Sequence, residues 1–265
     1  SDLPEYQALH DEMIRYLQFL RDASVAGGVS EGLRKSWYRF PEVKQNWFGF
    51  SETSNSGRGL GPTFARALDR SLASIFSNFG KERITRGSHI EKLCLIDQGV
   101  GKDMISDFCV NLIKDFLLTY TQEFAHQHIS KELLKRKAVN KVRFSYETKT
   151  WMPKTFALPW YRGDYVILTP VDILTKDEAW INRQDMFHDF EAIPHAIDNE
   201  ALRAQINRYF EDRLPKSRKV TDGDYIAAKE ATIREFPELV DYFIRHKERH
   251  GNEAVRRSSQ RVQES

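Results

Sequence analysis

Asp97, Asp103, Asp107, Glu147 and Lys149 are the residues whose types and spacing suit a defined chemistry. Hard carboxylate oxygens hold Mg²⁺ or Mn²⁺, and the bound metal polarises a phosphodiester and activates water. A lysine beside it positions that water or steadies the developing charge. On this reading Asp97, Asp107 and Glu147 are the metal ligands, Asp103 and Lys149 complete the catalytic set, and Mg²⁺ or Mn²⁺ is the cofactor. The same residues have plainer duties open to them. Asp103 and Asp107 stand where a helix begins, and acidic side chains there cap free N–H groups. Glu147 and Lys149 alternate with apolar residues, as the solvated face of a strand does.

Two further groups bear on a polyanion. Gly57-Arg58-Gly59-Leu60-Gly61 opens a helix at Pro62, where backbone N–H groups and Arg58 suit a phosphate. Pro62 takes the place of the last glycine of a dinucleotide fingerprint and no GK[ST] follows, so a flexible connection competes with this reading. Trp151, Lys154, Phe156, Trp160, Tyr161 and Arg162 crowd one short stretch. Exposed, such residues stack on bases and neutralise phosphates; buried, they are a heavy core corner. Arg58, Lys154, Trp160 and Arg162 are the expected nucleic-acid contacts. Arg245 and His250 have an R-x4-H spacing, although five residues on a continuous helix point them apart unless Gly251 ends it.

Composition limits the classes. Forty Lys and Arg against 38 Asp and Glu leave a net charge of +2, so any basic surface must be local. Hydrophobic residues at 40% and aromatics at 12% exclude a disordered chain. Cys94 and Cys109 lie in apolar contexts and read as small buried hydrophobes, not a disulfide. No apolar run is long enough for a membrane span and no secretory leader opens the chain, which suggests a cytoplasmic protein with no membrane partner. The polar end RRSSQRVQES suggests a chain truncated at its C-terminus.

The elements that must position these residues follow from periodicity. Leu9, Met13, Tyr16, Leu17 and Leu20 predict a helix over 5–22, and Pro62 with Phe64, Leu68, Leu72 and Phe76 predicts one over 62–78. The aromatic run at 46–51 and the apolar run at 91–97 read as sheet members. The strongest stripe predicts a single helix over 103–128, followed by a short helix in SKELLKRKA. Val142, Phe144 and Tyr146 alternate with polar residues and predict a strand carrying Glu147, and YVILTP (165–170) predicts a central one. WMPKTFALPWYRGD between them reads as a turn-rich connection. Helices are expected near 178–192, with Asp177 as N-cap, and near 199–213, 222–234 and 237–250. The whole reads as α+β: a small mixed sheet flanked by many helices, with a helical C-terminal half. Three segments are expected, a helical 1–90 with the Gly-rich loop, an α/β core over 91–190 and a helical 191–265, within one continuous domain or more.

Glu147-Thr148-Lys149 after an acidic residue resembles the PD-(D/E)XK nuclease superfamily over about residues 91–170. No Pro-Asp stands at the usual short distance, and a long helix separates Asp97 from Glu147. The stretch GVGKDMISD (99–107) with YVILTPVDILTKDEAWIN is similar to uncharacterised bacterial proteins associated with antiviral defence. The resemblance implies a metal-dependent, nuclease-like enzyme that processes nucleic acid in antiviral defence. Two alternatives stay open. One is a non-catalytic interaction subunit with a protein partner or a second copy. The other resembles HEPN ribonucleases, in which Arg245 and His250 would act without metal.

Overall fold

A computed structural model describes residues 4–46, 59–74, 78–95, 102–173 and 181–249. The chain forms two compact units interleaved in sequence. Unit 1 comprises Ser1–Asp69 and Lys102–Thr175, and unit 2 comprises Arg70–Gly101 and Lys176–Ser265. The expected boundaries at 90 and 190 both fall inside unit 2.

Unit 1 opens with α1 (Pro4–Val25), which buries Ile14, Tyr16, Leu17 and Leu20. This is the predicted stripe, with the apolar face setting the helix against its neighbours. Ser30 caps α2 (Glu31–Trp37) by accepting the Leu33 N–H. Arg34 of α2 donates to Asp69 in α3 (Pro62–Ser74) at 2.8 Å. Gly59 precedes α3 at φ 58°, and a Cβ there would lie 2.8 Å from the Glu42 nitrogen, so only glycine lets this backbone approach residues 40–42. Phe40 and Leu60 exchange backbone hydrogen bonds across that approach.

The long helix predicted over 103–128 is two helices, α4 (Lys102–Leu112) and α5 (Lys114–His128), broken at Ile113. The apolar stripe continues through the break, which is why periodicity alone joins them. A single 3₁₀ turn at Lys131–Leu133 replaces the predicted SKELLKRKA helix. From Leu134 the chain is extended.

The sheet is antiparallel throughout, in the order β1 (Leu134–Ser145), β2 (Thr150–Tyr161), β3 (Asp164–Tyr165). The predicted turn-rich connection WMPKTFALPWYRGD is therefore mostly strand. Pro153 is accommodated where the register slips between Val139 and Arg143, a place where a missing N–H breaks no ladder bond. Predicted strand YVILTP shrinks to Asp164–Tyr165. After it, the backbone N–H groups of Val166, Ile167 and Leu168 donate to Pro159 O, Gln45 O and Thr121 Oγ1. Helix α5 covers the inner face of the hairpin, where Leu117, Leu118, Val139, Val142, Phe156 and Leu158 form the core. Gln122 of α5 accepts the Ala157 N–H on the edge of β2 that β3 leaves open.

Unit 2 is helical. Residues 91–95 lie in a 3₁₀ helix, Ile90–Leu95, and not in the sheet. Of the predicted sheet segment at 46–51, Asn46 ends the 3₁₀ turn Lys44–Asn46 and the rest, like the Asp177 cap, lies outside the described residues. Asn182 caps α6 (Arg183–His188), Asn199 caps α7 (Glu200–Arg213), and Thr221 with Asp224 forms a capping box on α8 (Asp222–Glu235). A last helix, α9, spans 239–249. Their apolar faces meet around Met186, Phe190, Ile206, Leu239, Phe243 and Ile244. Lys92 is fully buried here between Glu82 (2.9 Å) and Asp241.

Candidate nucleic-acid interface

Strand β1 reads LKRKAVNKVRFS, five cations and no acid in one element. Lys135 and Arg136 are exposed and Lys137 is half-buried, and their cross-strand partners are Leu158, Ala157 and Phe156. No carboxylate stands opposite. Among the described residues, Lys131, Lys135, Arg136, Lys137 and Arg143 have no ion-pair partner. The Lys135 ammonium lies 4.6 Å from the centre of the Trp160 ring, and Tyr161 next to it is 54% exposed. Arg162 follows in a left-handed turn at φ 49°, with its guanidinium 5.3 Å from the Tyr161 ring. The open end of the hairpin thus gathers unpaired positive charge beside aromatic faces, the combination that holds a phosphate backbone and stacks bases.

Lys154 differs from its expected companions Trp160 and Arg162. Its ammonium donates to Asp115 at 2.7 Å and lies over the Phe156 ring, on the face turned to α5. Arg58 lies outside the described residues. Sequence reasoning missed Lys131, Lys135, Arg136 and Lys137 because a helix was read where β1 begins, and Arg143 because it read as the polar face of a strand. The signal was present as a cation run without acids.

The acidic set divides. Asp97 lies outside the described residues, as does the side chain of Asp103, whose backbone belongs to the first turn of α4. Asp107 is half-buried on α4, with its carbonyl accepting from Asn111 Nδ2. Glu147 and Lys149 are not on a strand. They occupy the exposed turn 146–149 that joins β1 to β2, where Lys149 adopts φ 53° and its carbonyl accepts the Trp37 indole N–H at 2.8 Å. Alternation continues through Tyr146 by chance of sequence, and the turn needs polar residues for the same reason a strand's wet face does. Among the described residues no three His, Cys, Asp or Glu side chains converge on a point. In unit 2, Arg245 donates to Asp198 at 3.4 Å, and His250 lies outside the described residues.

A cavity of about 390 Å³ opens at the other end of the hairpin, within the ~300–1,000 Å³ of small-molecule sites. Helix α1 contributes Glu12 and Tyr16, the α4–α5 junction Asp115 and Phe116, and the hairpin Arg143, Tyr146 and Trp151. A hydrogen-bond chain fixes its wall: the Trp151 indole N–H donates to Tyr16 Oη at 2.9 Å, and Tyr16 donates to the Trp37 carbonyl at 2.7 Å. Burial, then the Glu12 charge, push the Tyr146 hydroxyl up to about 12, so it stays a neutral donor.

No helix among the described residues is long and apolar enough to cross a membrane. No curated protein and no solved structure matches the chain. Residues 1–182, which contain all of unit 1, match the domain of unknown function DUF8370. With more than half of its length matched, hairpin and cavity included, the chain belongs to the DUF8370 family.

Proposed function

We propose that this chain acts on nucleic acid, which it grips through the β1–β2 hairpin of unit 1. One observation carries the reading: Lys135 and Lys137 on one face of β1 and Arg136 on the other lack acidic partners among the described residues, at the strand end that also holds Trp160, Tyr161 and Arg162. In a chain of net charge +2, this much local positive charge without acidic partners is a specific arrangement. Lys and Arg release condensed counterions from a phosphate backbone, and the neighbouring rings add sequence-tolerant stacking. The test is fluorescence anisotropy of labelled single-stranded DNA, single-stranded RNA and duplex DNA against the purified chain. Replacing Lys135, Arg136 and Lys137 together by Gln is expected to weaken binding at least tenfold, and unchanged affinity would sink the reading.

Metal-dependent cleavage of the bound strand, in an antiviral setting, is the activity proposed for Asp103, Asp107, Glu147 and Lys149. It is supported by the placing of Asp103, Asp107, Glu147 and Lys149 in the same compact unit as the hairpin. Incubation of the bound polymer with Mg²⁺, Mn²⁺ or EDTA tests it. Cleavage with metal that disappears in Glu147→Gln and Lys149→Ala supports the enzyme. Binding without cleavage leaves a binding subunit instead.

A further inference from the structure

We infer that the cavity bounded by Phe116, Tyr146 and Trp151 receives one unstacked base of the bound strand, and that Glu12 and Asp115 make it prefer bases carrying an exocyclic amino group. The inference rests on the reading that this chain grips nucleic acid, and names the class of strand it takes.

Three of the lining residues are aromatic, Phe116 from α5 and Tyr146 and Trp151 from the hairpin, with the Arg15 guanidinium 4.0 Å from the centre of the Tyr146 ring. Phe116 of α5 packs edge-on against Tyr6 and stacks on Tyr120, and among the described residues it makes no ring contact with Tyr146 or Trp151. The cavity thus draws aromatic surface from both the helix and the hairpin, the kind of lining on which a planar base packs irrespective of its identity. The Trp151 N–H is already used by Tyr16, so this ring offers its surface and not a donor.

Identity is read by what remains. Glu12 and Arg143 line the same cavity without pairing with each other, and neither has an ion-pair partner among the described residues. Asp115 gives one oxygen to Lys154 and keeps the other. Carboxylates accept hydrogen bonds from exocyclic amines and repel carbonyl oxygens, so cytosine, adenine and guanine fit better than uracil or thymine. Arg143, on the same strand as the Lys135–Lys137 row, is suited to the phosphate of the inserted nucleotide. Insertion needs an unpaired base, so single strands are preferred over duplex.

The test compares labelled oligo(C) and oligo(U) of equal length, and separately follows tryptophan emission of the parent and of Trp151→Phe, whose difference reports Trp151 among the five tryptophans, while CMP or UMP is added. The expected result is about tenfold tighter binding of oligo(C), the lower range of one base-edge contact. Glu12→Gln and Asp115→Asn are each expected to shrink that ratio towards one. The Lys135, Arg136, Lys137 triple Gln variant should weaken both oligomers alike and keep the ratio. Circular dichroism of each variant guards against unfolding. Oligomers bound within twofold of each other, or a ratio untouched by both cavity variants, would overturn the inference. Polymer binding lost while CMP still alters Trp151 emission in a Glu12-dependent way overturns the hairpin grip and keeps the cavity.

Discussion

Pro153 of β2 lies opposite the three-residue stretch of β1 that holds Lys141, at the place where the hairpin's register slips between Val139 and Arg143. The proline has no N–H to give, and the lysine, at φ 51°, turns its ammonium away to the carbonyls of Ser36 and Arg39, 2.8 Å from each. One residue thus bends β1 and ties it to the end of α2. Lys141→Ala removes both hydrogen bonds and is expected to destabilise unit 1 by about 2 kcal/mol in urea unfolding. Lys141→Gly should be more stable than the alanine variant, because glycine relieves the left-handed backbone. The reverse order would show that the backbone is not held there.

Lys114 poses an opposite case. It is 3% exposed at the start of α5, with no hydrogen bond or ion pair among the described residues, and burial and then Lys141 pull its ammonium down to about 8. Below that value the folded state must hold a proton it disfavours, and the unfolded chain binds protons more readily up to the ordinary lysine value near 10.5. Stability from this group therefore rises between pH 8 and 10.5. Lys114→Met is expected to be more stable than the parent at pH 7, by a gap on the order of 1–3 kcal/mol. The gap should narrow by pH 9.5 in paired denaturant titrations, and a gap that stays constant with pH would rule out the charge as its cause.

How much of this was legible in the sequence depends on what each signal measures. Helix α1 follows from apolar spacing, a local property, and the segments that become α7 and α8 also read as helical. Strand β2 did not read as a strand, because Pro153 and Pro159 read as turn residues until the β1 bulge and the strand end that accommodate them are known. Glu147 and Lys149 read as strand because alternation does not mark where a hairpin reverses. The cavity joins Glu12, Asp115 and Trp151 from three distant segments, a relation no local pattern carries.

Lys92 in unit 2 is as buried as Lys114 but lies between Glu82 and Asp241, with Asn78 donating to Asp241 at 2.6 Å. Removing this cation strands two buried carboxylates. Lys92→Met is therefore expected to destabilise by roughly 3–5 kcal/mol, where Lys114→Met stabilises. Thermal unfolding of the two variants side by side distinguishes a paired buried charge from an unpaired one; shifts of the same sign would refute that distinction.

Tyr16 is 2% exposed and mediates between Trp37 and Trp151. Tyr16→Phe keeps the ring contacts with Phe40, Phe144 and Trp151 but leaves a carbonyl and an indole N–H unpaired. A loss of about 2 kcal/mol is expected in chemical denaturation. A loss below about 0.5 kcal/mol would mean that these groups find water, and that the cavity wall is looser than the hydrogen-bond chain implies.

The cation row on β1 has a second physical use, since lysines on an edge strand keep it from pairing with another chain. Salt dependence separates the two roles. If Lys135, Arg136 and Lys137 each neutralise one phosphate of a single strand, the slope of log affinity against log salt should fall by about 2 units in the triple Gln variant, near 0.7 per contact. If the row only protects the edge, binding and its slope stay as they are. The variant instead self-associates, with mass growing with concentration in sedimentation. A reduced slope in a variant that remains monomeric assigns the row to phosphate contact, because edge protection alone predicts no change in the number of ions released.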